Sequence, residues 1–388
     1  MAGELSKSTS IARSPRRRTA GSSRASCRTG RRSRLIGDGP GRWLPGLTTP
    51  VACVGDVRRR GGGALDHLIT GGAGFIGSHV ADALLARGDN VLALDDLSTG
   101  AEENIRHLFD HPRFELREGS ILDHDLVAKL ANGVDTIVHL AAAVGVKLIV
   151  EHPLDSLLTN IRGTEIVLDA ATDAGCKVLI TSTSEIYGKN ANGPLREEDD
   201  RILGSPFKAR WSYSTSKAVD EILARGYWRD RGTPTVVVRL FNTVGPRQTG
   251  TYGMVVPTFV RQALAEEPVT VYGDGKQRRS FCHVHDVVAA LLELLDHPGA
   301  VGDVFNVGAR NEVTMNELAG LILAATGSAS PVVHVPYDVA YEEGFEDMER
   351  RVPDTGKVEA LTGWRATRSL ADVIGDVIEH ERAGAAPA

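Results

Sequence analysis

From Asp66 onward, apolar runs of strand length alternate with amphipathic stretches of helix length. His67–Thr70 reads as a strand and Ile76–Arg87 as a helix, followed by strands at Asn90–Leu94 and Phe114–Glu118. Thr136–Leu140 and Val178–Thr181 are expected strands with helices before them, and Val236–Leu240 is another. This alternation predicts an α/β fold, a doubly wound parallel sheet with helices on both faces. After Gly245 the rhythm loosens. Helices are expected over Tyr252–Glu266, Val284–Leu295 and Met315–Thr326, with strands at Val269–Tyr272 and Val304–Val307. A smaller unit of this kind would lie over the carboxyl edge of the sheet, where open α/β folds bind ligands. Glu379–Ala388 is expected to fray, and no internal repeat is visible.

Residues 1–65 break this pattern. They carry Lys7 and 13 arginines against Glu4, Asp38 and Asp56, with Ser and Gly between and no apolar period, so they read as a basic disordered extension. The rest of the chain is strongly acidic, which the net charge of −6 conceals. Trp43 is the single aromatic among the arginines and no fold element accompanies them, so nucleic-acid binding is not favoured. A solvated extension, or sequence upstream of the true start, accounts for them. No apolar stretch follows the charges to make a secretory signal. No run reaches the roughly 20 apolar residues of a membrane span, so no membrane partner is expected. Cys27, Cys53, Cys176 and Cys282 form no CxxC pair, which argues against a zinc site or disulfide framework and fits a reducing cytoplasm.

Gly71-Gly72-Ala73-Gly74-Phe75-Ile76-Gly77 lies between the first strand and the first helix. Gly71, Gly74 and Gly77 would allow a tight turn, a close approach by a pyrophosphate and close helix–strand packing. The free N–H groups of Phe75, Ile76 and their neighbours would face the phosphates. Asp95 ends the second strand 18 residues after Gly77, a spacing that suits a carboxylate on ribose hydroxyls. Such a carboxylate repels a 2′-phosphate, so the expected cofactor is NAD in a Rossmann-type domain. Asp96 and Ser98 would line the same pocket, Asp123 would meet the adenine, and Leu140-Ala141-Ala142 would let backbone approach the cofactor. His139 reads as a packed strand residue.

Tyr213-Ser-Thr-Ser-Lys217 places a phenol and an amine four residues apart on one helix face. A nearby ammonium and a positively charged nicotinamide would favour the phenolate, which could then take a proton from an alcohol. The fifth strand runs into Thr181-Ser182-Thr183-Ser184-Glu185-Ile186-Tyr187-Gly188. Thr183 is the candidate hydrogen-bond partner of the reacting oxygen, and Glu185 an acid–base candidate. His283 and His285 alternate along one segment, but Asp286 reads as a helix N-cap there, and no metal is expected.

Together GGAGFIG, LDDLSTG, HLAA, TSTSEIYG, YSTSK, RLFNTVGPR and VYGDGKQRRSF resemble the extended short-chain dehydrogenase/reductases that modify nucleotide sugars. The resemblance runs from about Leu65 to Thr367. It implies an NAD-binding Rossmann domain over 66–245 and a mainly substrate-binding domain over 246–388, with segments around 281–308 returning to the first. It also implies a nucleotide-diphosphate sugar substrate and a homodimer formed through the helix carrying Tyr213. Asn242 and Arg279 would then contact the diphosphate and Tyr272 the base. Arg247 is a further candidate for an anionic substrate, since arginine forks suit phosphate oxygens.

Members of this family open with hydride transfer from C4 of the sugar, giving a 4-keto intermediate. The 4,6-dehydratases resemble Thr-Asp-Glu at this strand end, whereas here Ser184 stands in the middle and supplies no acid. TSTSE, the stretch 208–217 and Arg350-Arg351-Val352-Pro353-Asp354 look most like UDP-glucuronate decarboxylases. By that resemblance Glu185 and Arg351 act on the C5 carboxylate. Oxidation at C4 makes a β-keto acid, whose carbonyl accepts the electrons released as carbon dioxide departs. Many stand-alone decarboxylases carry an acidic, glycine-containing insert where this chain has Ser-Thr-Ser. UDP-sugar 4-epimerase is therefore the alternative, and a non-catalytic NAD-binding scaffold is a reading from another class.

Overall fold

The computed structural model describes residues 64–144, 153–208, 211–249, 254–340 and 348–385. The basic extension, apart from Ala64 and Leu65, lies outside the described residues, as do Cys27 and Cys53.

Seven strands form one parallel sheet: β1 (Asp66–Thr70), β2 (Asn90–Asp95), β3 (Phe114–Glu118), β4 (Thr136–His139), β5 (Lys177–Thr183), β6 (Thr235–Leu240) and β11 (Val304–Val307). Their spatial order is β11-β6-β5-β4-β1-β2-β3. The order reverses between β1 and β4, whose register pairs Leu68 with Ile137 and Thr70 with His139. That reversal opens a crevice at the carboxyl ends of the strands. Apart from the partly exposed edge strand β3, the strands are largely apolar because helices cover both faces. On one face α1 (Phe75–Arg87) and α6 (Val284–Asp296) bury Val80, Leu84, Val287, Leu291 and Leu294. On the other, α2 (His124–Ala131), α3 (Pro153–Ala174) and α4 (Ser212–Gly226) pack Val127, Val167, Leu168 and Ala224 against Leu68, Ile137, Val178 and Ile180.

A second set of elements carries its own apolar cluster of Val256, Phe259, Val260, Val269, Leu318, Ile322, Val373 and Val377. It contains α5 (Val255–Leu264), α7 (Met315–Thr326) and α9 (Leu370–Ala385), with α8 (Gly356–Thr362) nearby in the chain. Short sheets accompany them: β8 (Val269–Tyr272) with β13 (Val332–Val335), β7 (Thr243–Val244) with β10 (Cys282–His283), and β12 (Glu312–Thr314), β9 (Arg278–Ser280) and β14 (Arg350–Arg351) together.

Two local expectations are corrected. The segment from Glu379 does not fray within the described residues: α9 continues to Ala385, anchored by buried Val373, Ile374, Val377 and Ile378 on one face. Asp286 does not cap α6. His283 does, its ring accepting the His285 N–H at 3.1 Å. Asp286 sits in the first turn and accepts the backbone N–H groups of Thr367 and Arg368 at 3.0 and 2.9 Å, so it ties down an incoming segment. Sequence spacing could not show that neighbour, which arrives from about 80 residues away.

Candidate active site

The glycine turn sits at the crevice. Gly71 has φ +75°, and a Cβ there would lie 2.8 Å from the Ala141 nitrogen after β4. A Cβ on Gly77 would lie 2.0 Å from the Gly71 carbonyl oxygen. The backbone segments therefore pack with no room for a side chain at either position. Gly74 caps α1 without a side chain and no acidic residue stands in the first turn; the carboxylate at this helix N-terminus is that of Asp95, which accepts the Ala73 N–H. Phe75 and Ile76 begin that helix and pack against the sheet's core. Leu140, Ala141 and Ala142 follow β4, and the Ala141 N–H donates to Thr70 Oγ1 at 3.3 Å.

Asp95 is buried. Its Oδ2 accepts the Ala73 N–H and its Oδ1 the Leu97 N–H, each at 2.9 Å. Burial pushes its pKa up while these amides pull it down. The Gly74 amide bonds the carboxylate as well, so three amides occupy it and about one of its four lone-pair sites remains for a ribose hydroxyl. Asp96 and Ser98 are exposed and bonded to each other, the Ser98 hydroxyl donating at 2.5 Å. Asp123 caps α2 by accepting the Leu126 N–H at 3.1 Å, so part of its carboxylate already serves the fold. The residues present fit a dinucleotide: an anion cradle at a helix N-terminus, and a carboxylate one strand away.

His139 is a packed strand residue here. Its Nδ1 lies 2.7 Å from Thr70 Oγ1 and its Nε2 3.1 Å from Thr164 Oγ1, and burial lowers its pKa to about 3.

Tyr213 and Lys217 lie in the first turns of α4, behind the end of β5. Burial drives the Tyr213 phenol above its ordinary pKa; Glu185 and Asp220 add to that, and Arg351 opposes it. Lys217 Nζ is 3.0 Å from Asp220 Oδ2. Asn160 of α3 holds the neighbourhood together: its side chain donates to Ser216 Oγ at 3.1 Å and accepts the Ala143 N–H at 2.8 Å. Neither Asn160 nor Asp220 stands out in the sequence, since each lies among ordinary helix positions.

At the end of β5, Thr183 Oγ1 accepts the Glu185 N–H at 3.2 Å. Ser184 is buried in the short helical turn Ser184–Tyr187. Arg351 arrives from β14, where its Cα is paired in register with Arg279. Its Nη1 lies 3.3 Å from Glu185 Oε1, and its Nη2 donates to Asn242 Oδ1. Asn242 in turn donates to the Ser280 carbonyl at 2.8 Å. Three of the expected site residues, Glu185, Asn242 and Arg351, thus meet in one cluster. Arg279 is buried and donates to the carbonyls of Arg278 and Glu349 at 2.9 and 3.4 Å. Tyr272 is 40% exposed. Arg247, held at φ +67°, pairs with Asp82 of α1 at 2.8 Å. The structure brings it to the cofactor helix and not to the Glu185 cluster.

Beneath the strand end lies a buried polar network that the sequence reading missed. Arg239 forks onto Glu221 at 2.9 and 2.8 Å and donates to the Tyr187 hydroxyl at 2.8 Å. Ser182 donates to Glu221 at 2.6 Å, and Tyr187 donates to Asn306 at 2.7 Å. These partners come from β5, α4, β6 and β11, and so anchor the backbone that presents Thr183, Ser184 and Glu185.

Fold and site define a dinucleotide-binding α/β protein of the Rossmann type, with a tyrosine–lysine helix beside the cofactor crevice. Residues 67–308 match the profile of the NAD dependent epimerase/dehydratase family. The chain belongs to that family, whose cofactor is the one the glycine turn and Asp95 led us to expect. It is 41% identical over 316 residues to a UDP-N-acetyl-alpha-D-glucosaminuronate decarboxylase of Bacillus cytotoxicus, covering 81% of this chain and 97% of that one. It is 38% identical to UDP-glucuronic acid decarboxylase 1 of Arabidopsis thaliana, covering 85% and 72% respectively. The UDP-glucose 4-epimerase of Thermus thermophilus, solved in complex with NAD, superposes with a TM-score of 0.73 at 31% identity, covering 83% of this chain and all of that one. Among the described residues no helix is long and apolar enough to cross a membrane.

Proposed function

We propose that this enzyme is a UDP-glucuronate decarboxylase that works through a 4-keto intermediate. The observation that carries the reading is the Arg351 guanidinium beside Glu185 and Asn242 at the end of β5, a cationic fork suited to a substrate carboxylate. The likeness to two sugar-acid decarboxylases supports it.

In this reading the glycine turn, Phe75, Ile76, Leu140, Ala141 and Ala142 hold the cofactor's pyrophosphate and nicotinamide side. Asp95 takes the ribose hydroxyls, with Asp96, Ser98 and Asp123 around the adenosine. NAD held there would supply the hydride acceptor for oxidation at C4 of the sugar. Tyr213 takes the proton from the C4 hydroxyl, Lys217 stabilises the phenolate, and Thr183 bonds the C4 oxygen. Arg351 and Glu185 address the C5 carboxylate, with Ser184 beside them. The C5–carboxylate bond then breaks, its electron pair moves into the C4 carbonyl, and the resulting enolate takes a proton at C5. Asn242 and Arg279 hold the diphosphate and Tyr272 packs on the base; Arg247, paired with Asp82 of α1, is not assigned to the substrate. The seven-stranded sheet serves as the NAD-binding domain and the elements after Gly245 mainly as the substrate domain. α4 presents Ile222, 68% exposed, as part of a homodimer face, and the enzyme works in the cytoplasm.

A second reading, with an N-acetylated hexuronate as substrate, is favoured by the Bacillus cytotoxicus relative, at 41% identity over nearly its whole length. Both substrates share the C5 carboxylate. The test is incubation with UDP-glucuronate and with UDP-N-acetylglucosaminuronate, with products read by mass spectrometry. Carbon dioxide with a UDP-pentose or its 4-keto precursor supports the proposal. The N-acetylated substrate alone being decarboxylated shifts it to the second reading. Formation of UDP-galacturonate only, or turnover of UDP-glucose alone, replaces it with a 4-epimerase.

A further inference from the structure

Arg247 is a cation that the reading above leaves without a task. It lies in residues 245–248, a strap that leads along the chain from β7 toward α5, the first helix of the second set. Its backbone sits at φ +67°, a left-handed conformation that a residue with a side chain keeps only where its surroundings hold it. Here the hold comes from α1. Arg247 Nη1 donates to Asp82 Oδ2 at 2.8 Å, and Asp82 Oδ1 lies 2.7 Å from His107 Nε2. One residue earlier in the strap, the Pro246 carbonyl accepts from His79 Nε2 at 3.0 Å. His79 and Asp82 stand three residues apart, so α1 grips the strap with one face. Gln248 closes the strap on itself, its Nε2 donating to the Thr243 carbonyl at 3.0 Å. A second tether starts from the same helix. The His79 ring meets that of His285 edge-on, with centroids 5.1 Å apart, and the His285 and His283 centroids are 4.8 Å apart. His283 Nε2 in turn lies 2.9 Å from Asp376 of α9.

One helix therefore serves both sides of the reaction. The glycine turn leads into its first residues, and its middle turns hold the chain on the way into the elements read above as the substrate domain. We propose that Arg247 is a positioning residue for hydride transfer. By locking the strap to Asp82 it fixes the substrate-binding elements against the helix that follows the cofactor turn, and with them C4 of the sugar against the nicotinamide. Arg247 itself touches neither reactant. Glycine would adopt the strap's backbone freely but would lose the grip. This inference rests on the division of labour proposed above, with NAD on the seven-stranded sheet and the sugar held mainly by elements after Gly245. It does not depend on what becomes of the 4-keto sugar.

The experiment compares the wild type with Arg247→Ala, Arg247→Gly, Arg247→Lys, Asp82→Ala and the double variant Asp82→Ala/Arg247→Ala. Rapid mixing of each NAD-loaded protein with saturating UDP-glucuronate, and separately with UDP-glucose, reads hydride transfer as NADH absorbance. Arg247→Ala slows that step by about 10- to 100-fold, the loss that a misplacement of about 1 Å brings. Its NAD affinity is unchanged, and its dissociation constant for the sugar moves far less than the rate. The double variant is no slower than the slower single variant, because both changes remove the same contact. Arg247→Lys keeps the charge and recovers most of the rate. Arg247→Gly separates positioning from stability: relieved of the left-handed strain, it melts above Arg247→Ala yet transfers hydride as slowly. Without any sugar, hydrogen exchange of the amides in residues 243–249 is faster in every variant that loses the pair. Unchanged exchange, a hydride rate that follows melting temperature across the series, additive losses in the double variant, or a wild-type rate in a folded Arg247→Ala protein overturns the proposal. Slowed NADH formation in an enzyme that releases no carbon dioxide from UDP-glucuronate leaves this inference standing and refutes the proposed function. Carbon dioxide release with unslowed hydride transfer in the variants does the reverse.

Discussion

Replacing Arg351 with methionine tests the carboxylate site directly. The side chain is 14% exposed, lies 3.3 Å from Glu185 Oε1 and donates to Asn242 Oδ1. Methionine fills much of the volume and removes the fork. A hydrogen bond to a charged group contributes about 1.5–3 kcal/mol, so losing a bidentate pair on a substrate carboxylate costs roughly 3–4 kcal/mol in the transition state. At 1.36 kcal/mol per decade this is a drop of about 10² to 10³ in kcat/KM. The assay is carbon dioxide release from UDP-glucuronate, run beside NADH formation with UDP-glucose, which has no carboxylate. The neutral sugar should lose less than about 5-fold, since its C4 chemistry uses other groups. Arg351→Lys retains the charge and one bond and should fall between, losing about 10-fold. Decarboxylation within about 5-fold of wild type in a folded Arg351→Met enzyme, or equal losses on both sugars, would refute the assignment.

Gly77→Ala places a methyl 2.0 Å from the Gly71 carbonyl, so the turn must open; NAD titration by fluorescence should show binding weakened by at least about 10-fold, and near-wild-type affinity would contradict the cradle. Glu221→Ala leaves the buried Arg239 guanidinium without its carboxylate, and urea unfolding should report a loss of about 3–5 kcal/mol; a loss under about 1 kcal/mol would mean the network does not anchor β5. Stability should also fall on acidification. Burial lowers the pKa of His79 from 6.5 to about 4 and of His139 from 6.5 to about 3. The unfolded chain then binds protons that the folded protein refuses, so the contribution is complete above pH 6.5 and is lost as pH falls toward 4 and 3. The shift is worth roughly 3 kcal/mol for His79, and in His79→Gln that part of the slope should disappear from a pH series of urea midpoints.

Much of the α/β framework was legible because its signals are local. Phe114–Glu118, Val269–Tyr272, Val304–Val307 and Met315–Thr326 have the bounds that the pattern predicts: Phe114 and Leu116 alternate with polar residues at the sheet edge, the other two strands are short runs dominated by Val, Thr and aromatic residues, and a capped helix shows its ends. Thr314 and Glu317 form a capping box at α7, a short-range signature. The final helix is a signal the sequence reading passed over: Leu370, Val373, Ile374, Val377 and Ile378 fall at helical spacing on one face, which packs into the cluster of α5 and α7. At α6 the expectation that Asp286 is the N-cap fails: His283 caps the helix, and Asp286 bonds Thr367 and Arg368, which lie far off in the chain.

The same division runs through the site. The glycine turn, Asp95 and the Tyr213–Lys217 spacing are set by the sequence alone, because each depends on geometry within one turn or one strand–helix unit. So is the family, which those ordered motifs reveal. The resemblance had put Glu185 and Arg351, 166 positions apart, on one carboxylate; only the tertiary structure added Asn242 to that pair. It alone put Arg247 on Asp82, built the Arg239–Glu221–Tyr187 network under β5, and placed the Lys217–Asp220 pair against Thr164 of α3. The reason is physical: a charge is given its role by what lies within a few ångströms of it in a medium with little water, and the chain's order does not record those neighbours.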